Sequence, residues 1–428
     1  MKLRVFILLF IGIAFASGFY RASHLAPSAP FQFSPIALTE QTAAHFETHF
    51  ASSKLFIQVH AASAVELKDG RIRSYWFSGS REGARDVEIH SAIFDPLLSR
   101  WGDEHVVVTR EQTQQSLHRY ISKLGNPVAV RAADGSLRLF YVTVSLGGWA
   151  GSSITSMIST DDGTTWSTPK RLITSPFLNI STLIKGTPFL YQDGTLGLPV
   201  YHEFISKFAE ILRLDQQGNV LDKQRLAAGG VGTLQPVLLM QDEQRARVLM
   251  RYDGIAPPYR AITVTTQNAG KNWSSPKKST MRNSDAALTG LTLADGRLLA
   301  VSNDLERGRE ALSLMISSDV GETWQEVAKL EDQLAANQHA DQKNYAENIA
   351  TLIPQTDALM AEKLADAVES TERTTCSNGQ CRYEFSYPYM IQTQRADVHV
   401  VYTWNRTFIK HVSFNLAWLE QQLNHANH

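Results

Sequence analysis

Three octets with a common frame constrain this chain more than anything else in it. Ser159–Trp166 reads STDDGTTW, Ser317–Trp324 reads SSDVGETW, and Thr266–Trp273 reads TQNAGKNW. All fit [S/T]-x-[D/N]-x-G-x-x-W. Asp161, Asn268 or Asp319 can accept backbone N–H groups from the residues ahead and so close a tight turn. Gly163, Gly270 and Gly321 take the positive φ that a side chain resists. Trp166, Trp273 and Trp324 each supply an apolar plate that must pack beneath the turn. Each octet follows an apolar, strand-like run, so the three copies predict a repeat architecture.

A second signal runs in step with the first. Asp69-Gly70, Asp134-Gly135, Asp193-Gly194 and Asp295-Gly296 each precede a β-rich run (RIRSYWF, SLRLFYV, TLGLPVY, RLLAVS). Asp-Gly between apolar runs is a strong hairpin signal. Asp134 lies 27 residues before Asp161, and Asp295 lies 24 before Asp319. The same offset connects Asp242 (QDEQR) to Asn268, Asp69 to a decayed octet at Asp95–Trp101, and Asp193 to the LDQQGN turn near Asp215. A sixth hairpin falls at Arg395-Ala396-Asp397, before VHVVYTW. The first five turns are 65, 59, 49 and 53 residues apart, room for four short strands each. The expectation is an all-β, six-bladed β-propeller over residues 51–420. The strand LFIQVH, ahead of Asp69, is expected to close the ring by pairing into the last blade.

The last interval is about twice as long as the others. Its excess, residues 331–383, contains AENIATLIPQTDALMAEKLADAVEST, which has the period of a helix. It is expected to be a helical insertion before the last blade, either a lid over the site or an edge decoration. Residues 1–20 carry Lys2 and Arg4 ahead of the apolar run Val5–Ala16, with Ala14-Phe15-Ala16 as a small-x-small pattern. This predicts a signal peptide, or else an N-terminal anchor in which residues 5–20 tether the protein to a membrane. Residues 21–50 then form an N-terminal extension. Cys376 and Cys381, around an Asn-Gly turn, are expected to form a disulfide, which suits a periplasmic or extracellular protein. With 41 basic and 42 acidic residues, nothing in the charge favours nucleic acid or an anionic membrane surface. No metal site, cofactor or specific protein partner is expected.

Six blades with these octets resemble the sialidase (neuraminidase) superfamily, whose octet is called the Asp-box. The resemblance spans roughly residues 54–416, outside the insertion. It implies that the octets are structural and lie on the rim away from the active site. It also implies an arginine cluster for a substrate carboxylate, an acid/base carboxyl group and a tyrosine nucleophile. By position, Arg81 and Asp86 (WFSGSREGARDVEIH) match an arginine and the acid/base residue. Arg251 (VLMRYDG) and Arg309, with Arg307 as the alternative register, match cluster arginines. Tyr387 (FSYPYMIQ) matches the nucleophile, with Tyr389 one period away.

Other positions depart from the pattern. His60 (FIQVHAAS) stands where the remaining arginine belongs, and Thr403-Trp404 replaces the glutamate that braces it. Gln235 (GTLQPVLL) replaces the glutamate that activates the tyrosine, and a glutamine cannot accept the phenol proton. Asn126 (GNPVAV) stands where many relatives have aspartate. Within the superfamily, VHAAS, GNP, LQP and YP are similar to a divergent bacterial branch of predicted neuraminidases. Glu203 or His202, at the end of the strand LGLPVYHE, is an alternative base. The resemblance therefore implies exo-glycoside hydrolysis of an acidic sugar or glycan terminus, such as sialic acid. Asp86, Tyr387 and Glu203 are the catalytic candidates. His60, Arg81, Asn126, Gln235, Arg251 and Arg309 are the substrate contacts. Two other readings compete: a non-catalytic acidic-glycan-binding propeller, and β-elimination from uronate polysaccharides by a His–Tyr pair.

Overall fold

The computed structural model describes residues 2–23, 29–36, 43–175, 179–226 and 232–426. The parts of the expected N-terminal extension at 24–28 and 37–42 lie outside the described residues. Six antiparallel sheets follow one another around a ring. Their inner strands are Gln58–Glu66, Lys123–Arg131, the broken pair Leu183–Ile184 and Phe189–Leu190, Thr233–Met240, Thr289–Thr292 and Phe385–Gln392. These belong to blades 1 to 6 in order, and each Asp-Gly turn connects the first strand of its blade to the second.

Ring closure differs from the sequence expectation. LFIQVH does not pair into the last blade, because Gln58–Glu66 is the inner strand of blade 1 and pairs with Ile72–Gly79. The ring is closed by Phe46–Phe50, which adds to Phe408–Phe414 as the outermost strand of blade 6 (Phe46 opposite Phe414, Phe50 opposite Lys410). An outer strand covers the edge that blade 6 would otherwise expose. The same fact explains why blade 6 has no octet: its third and fourth strands come from opposite ends of the chain.

The octets form as their chemistry dictates. Ser159 Oγ accepts from Gly163 N at 2.7 Å, and Asp161 Oδ1 accepts from Thr165 N at 2.9 Å. Ser317 and Asp319 repeat this at 2.8 and 2.9 Å, and Thr266 and Asn268 at 3.0 and 2.9 Å. Thr165, through its hydroxyl and its backbone N–H, holds the Asp161 carboxyl down at about 2. Two of the octets, and the blade 3 turn near Asp215, also meet a buried arginine of the preceding blade that the repeat did not reveal. Arg247 of blade 4 donates Nε to Val320 O at 2.6 Å and pairs Nη2 with Glu322. Arg138 of blade 2 reaches Gln216 O in the blade 3 turn, and Arg73 of blade 1 lies against Gly163. These guanidinium groups are almost fully buried, and for Arg247 and Arg138 the facing turn supplies acceptors that water would have supplied.

The insertion is helical: Leu334–Asn337, Gln342–Thr356 and Leu364–Thr375, with a 3₁₀ turn at Ala358–Lys363. Asp341 caps the longest helix by accepting from Asn344 N at 3.0 Å. Tyr345, Ile349 and Ile353, four residues apart, bury one face of that helix in a core shared with Phe385, Trp404 and Phe408 of blade 6. Thr48 Oγ1 donates to Thr356 O at 3.0 Å, and Phe50 N donates to Asp357 Oδ2 at 3.1 Å, tying the insertion to the closing strand. Most of the segment is therefore an edge decoration on blade 6. Cys376 and Cys381 are disulfide-bonded. Leu3, Phe6 and Phe10 of helix Lys2–Ser23 are exposed. No helix among the described residues is long and apolar enough to cross a membrane.

Docking of the octets on arginines is testable with two glycines. A Cβ at Gly321 (φ +85°) would lie 2.7 Å from Arg247 Cδ and 2.8 Å from its Nε. Gly296 (φ +87°) has nothing within 4 Å. Gly296→Ala is expected to cost only the backbone strain, on the order of 1–3 kcal/mol. Gly321→Ala is expected to cost clearly more in urea unfolding. Equal losses would mean that the arginine contact is unimportant.

Candidate active site

The octets and the Asp-Gly turns share one rim. At the other rim the inner strands enter the ring, and there four of them break their ladders at nearly the same depth. Pairing slips by one residue between His60 and Ser63, Gly125 and Val128, Leu234 and Val237, and Ser386 and Tyr389. In each bulge one residue is left-handed: Ala61 (φ 57°), Asn126 (40°), Gln235 (50°) and Tyr387 (56°). Three of them precede a proline, Pro127, Pro236 and Pro388, which has no N–H to offer a ladder and fits only where the ladder is interrupted. A bulge re-aims a side chain. Left-handed backbone at residues this large is strain that a working site retains.

The four re-aimed strands bring the candidates together. Gln235 Nε2 donates to the Tyr387 hydroxyl at 2.8 Å, while its Oε1 accepts from Arg251 Nη1 at 3.3 Å. Asn126 Nδ2 donates to the hydroxyl of buried Tyr201 at 3.2 Å. The His60 ring lies 4.2 Å from that of Tyr387, centroid to centroid. His60 Nδ1 meets Thr403 Oγ1 at 2.8 Å, and the same oxygen accepts Ala61 N at 3.2 Å. Burial, with Arg406, Arg309 and Lys185 nearby, holds His60 well below its usual value, so the ring is neutral.

Arg251 donates Nε to Asp285 Oδ1 at 2.6 Å. Burial disfavours its charge, but Tyr387, Asp285 and Tyr201 outweigh burial and strengthen it. Arg309 donates to Glu384 Oε1 at 3.3 Å and to Asp285 O at 3.2 Å. A third guanidinium, missed in the sequence, is Arg406. It sits in the turn joining Val398–Trp404 to Phe408–Phe414, donating to Glu384 at 3.0 Å and to Glu82 Oε2 at 2.7 Å. Burial pushes the Glu384 carboxyl up, but Arg406 and Arg309 prevail and hold it below its usual range. Arg406 thus adds a third guanidinium beside Arg251 and Arg309. Lys185, also missed, is buried in the broken inner strand of blade 3. Its Nζ donates to Pro388 O at 3.1 Å and lies 5.8 Å from the Tyr387 ring centroid. Burial pulls it down to about 7. A charged residue inside the apolar run LIKGTPFL was the available signal.

Three other candidates lie on this rim's loops. Arg81 and Asp86 are exposed in the blade 1 loop that also carries Glu82. Asp86 accepts from Ser80 N and Ser80 Oγ, both at 2.9 Å. Glu203 is partly buried; burial raises its carboxyl against the opposing pull of Lys207 and Arg251. Its neighbour His202 turns away, pairing with Glu210 at 3.0 Å and stacking on Phe208. Tyr389 is fully buried under Lys185, which leaves Tyr387 as the tyrosine that meets Gln235. Among the described residues no cluster of three or more His, Cys, Asp or Glu is arranged to hold a metal.

A bladed ring with Asp-box turns, and guanidinium groups gathered opposite them, has a clear affiliation. Residues 70–400 match the BNR repeat-like domain model. The chain belongs to that family. Solved structures agree on the fold. The Hadza microbial sialidase superposes with a TM-score of 0.60 at 14% identity, covering 84% of this chain and 66% of its own. A Dyadobacter fermentans protein of unknown function gives 0.62 at 12% identity, covering 86% and 98%. The Ruminococcus gnavus intramolecular trans-sialidase, solved with oseltamivir carboxylate, gives 0.57 at 12% identity, covering 84% and 95%. No curated protein matches the sequence.

Neutral His60 makes stability depend on pH. The unfolded chain takes up a proton near 6.5 that the native ring refuses, so stability is full above 6.5 and falls as pH drops below it. The loss is roughly 1.4 kcal/mol per pH unit for each such histidine. His399 and His411, buried on blade 6, add to it. Urea unfolding from pH 7.5 to 5.5 is expected to show this decline, with a shallower slope in His60→Gln. An unchanged slope in that variant would show that His60 is not held neutral.

Proposed function

We propose that the protein is a sialidase-like exo-glycoside hydrolase acting on an acidic sugar at a glycan terminus. The observation that carries this reading is the meeting of Arg251, Arg309 and Arg406 with Tyr387 at the rim opposite the octets. Guanidinium groups match a carboxylate in bidentate fashion and hold it against water better than an ammonium does. With the sugar carboxylate there, the Tyr387 oxygen attacks the anomeric carbon as the glycosidic C–O bond breaks. Glu203 donates the proton to the departing oxygen, a role that its raised carboxyl suits. Neutral His60, beside Tyr387, accepts the phenol proton that Gln235 cannot take. Water, giving a proton to the Glu203 carboxylate, then attacks the anomeric carbon and displaces the Tyr387 oxygen, which regains its proton from His60. Asp86 is the alternative donor, and Arg81 and Asn126 complete the substrate contacts.

The disulfide and the exposed apolar helix Lys2–Ser23 support export, as leader or as tether. One observation favours a second reading, a propeller that binds acidic glycans without turnover: the Gln235 amide faces Tyr387 with its N–H. Release of fluorophore from an α-sialoside, and from a uronide, separates the two. Wild type is expected to turn over, Tyr387→Phe to lose nearly all activity, and Arg309→Ala to raise KM strongly. Loss of the proton donor costs roughly 10²–10⁴-fold. Glu203→Gln is expected to fall in that range and Asp86→Asn well short of it, with the reverse order returning the role to Asp86. Saturable binding with no turnover would establish the binding reading. An unsaturated product absorbing in the near ultraviolet would replace hydrolysis with elimination.

A further inference from the structure

A cavity of about 620 Å³ opens beside the arginine cluster, bounded by blades 5 and 6 and by one corner of the helical insertion. Its inner wall is the pair already described, Arg309 and Arg406, which share Glu384. Its outer wall carries two further guanidinium groups, Arg307 from the blade 5 loop and Arg382 from the end of the insertion. Among the described residues neither has a carboxylate partner. Against these four cations the lining offers Asp285, Glu310 and Glu384, and Asp285 is already engaged by Arg251.

Arg307 is held by side-chain contacts, and the backbone that carries Arg382 is anchored on both sides. Arg382 lies between two anchored neighbours. Cys381 is disulfide-bonded and donates its N–H to Ala340 O at 2.8 Å. Tyr383 is buried, donates its N–H to Asn337 Oδ1 at 3.1 Å and accepts from Asn348 at 2.8 Å. Arg307 lies over the Tyr259 ring at 5.4 Å and donates to its hydroxyl at 3.1 Å. Two cations carried on ordered supports at one wall, with no carboxylate partner of their own, offer charge-assisted donors to an oxyanion. Its volume lies well inside the roughly 300–1,000 Å³ typical of ligand sites.

We infer that this outer wall is a second anion subsite, which takes a sulfate, phosphate or carboxylate on the residue next to the acidic sugar. The inference rests on the proposed acidic-sugar site and narrows its substrates to glycans carrying two anionic groups. The insertion, otherwise an edge decoration, thereby contributes to specificity through a single corner.

Calorimetric titration with two ligand pairs tests it: sialyllactose with and without a 6-O-sulfate, and a chondroitin disaccharide with and without sulfate. Wild type is expected to bind the sulfated member of a pair about tenfold more tightly, the size of one charge-assisted contact. Arg382→Ala is expected to erase that advantage while unsulfated binding stays within about twofold, and Arg382→Lys to keep part of it. If the unsulfated ligand binds and sulfate brings no advantage, or the advantage survives in Arg382→Ala, the second subsite is overturned and the proposed function stands. If none of the four ligands binds wild type, both fall.

Discussion

Closure of the ring between its first and last blades is the constraint on which the site depends. Phe46–Phe50 pairs along Phe408–Phe414 and ties the beginning of the propeller to its end. The contacts that build the site lie across that seam. His60 meets Thr403 from 343 residues away, and Glu82 meets Arg406 from 324. Gln235 reaches Tyr387 across the axis from blade 4. None of these pairs has local help, so each persists only because the ring holds its angular positions. Arginines of blades 1, 2 and 4, set against turns of the following blade, help to maintain those angles from the opposite rim.

Much of this was legible in the sequence because it is periodic. The turn-to-octet offset counts blades, and the octet frame dictates its own hydrogen bonds. Closure was misread because FETHF, at Phe46–Phe50, is short and lies far from any Asp-Gly turn, whereas LFIQVH looks like an ordinary strand and is one. Positions matched to blades did gather: His60, Gln235, Arg251 and Tyr387 touch one another or share a partner. Arg406 escaped notice because it occupies a left-handed turn, a place where an arginine carries no expectation of burial. The prolines at 127, 236 and 388 were visible as GNP, LQP and YP. Their shared meaning, a bulge that re-aims the preceding side chain, emerges only when the three strands are placed at one depth.

The departures at His60 and Thr403 form one exchange. A guanidinium on the first inner strand would need a carboxylate from blade 6, since a buried cation left alone costs more than the pair yields. This chain instead has a neutral imidazole bonded to a hydroxyl there. It keeps its cation a turn further out, on Arg406, with Glu384 as the partner. The axis beneath Tyr387 thus carries a neutral imidazole–hydroxyl pair, while three guanidinium groups stand at the mouth.

Gln235 likewise sets a neutral group against Tyr387. A carboxylate beside a tyrosine accepts its proton but then repels the phenolate that results. An amide accepts nothing from the phenol in this orientation, yet its N–H favours the oxygen in its charged form. Arg251 and Lys185 act in the same direction, one bonded to the same amide and the other behind the ring. In the proposed hydrolase the proton must therefore leave by another route, and the base assigned to it there is the neutral ring of His60, whose centroid lies 4.2 Å from that of Tyr387. An imidazole that became cationic there would face Arg406, Arg309 and Lys185 at once. The proton can rest on His60 only briefly, and bound substrate carboxylate, by offsetting those cations, is what would make the transfer tolerable. In the proposed mechanism, proton transfer and substrate recognition are thus coupled through the same three charges.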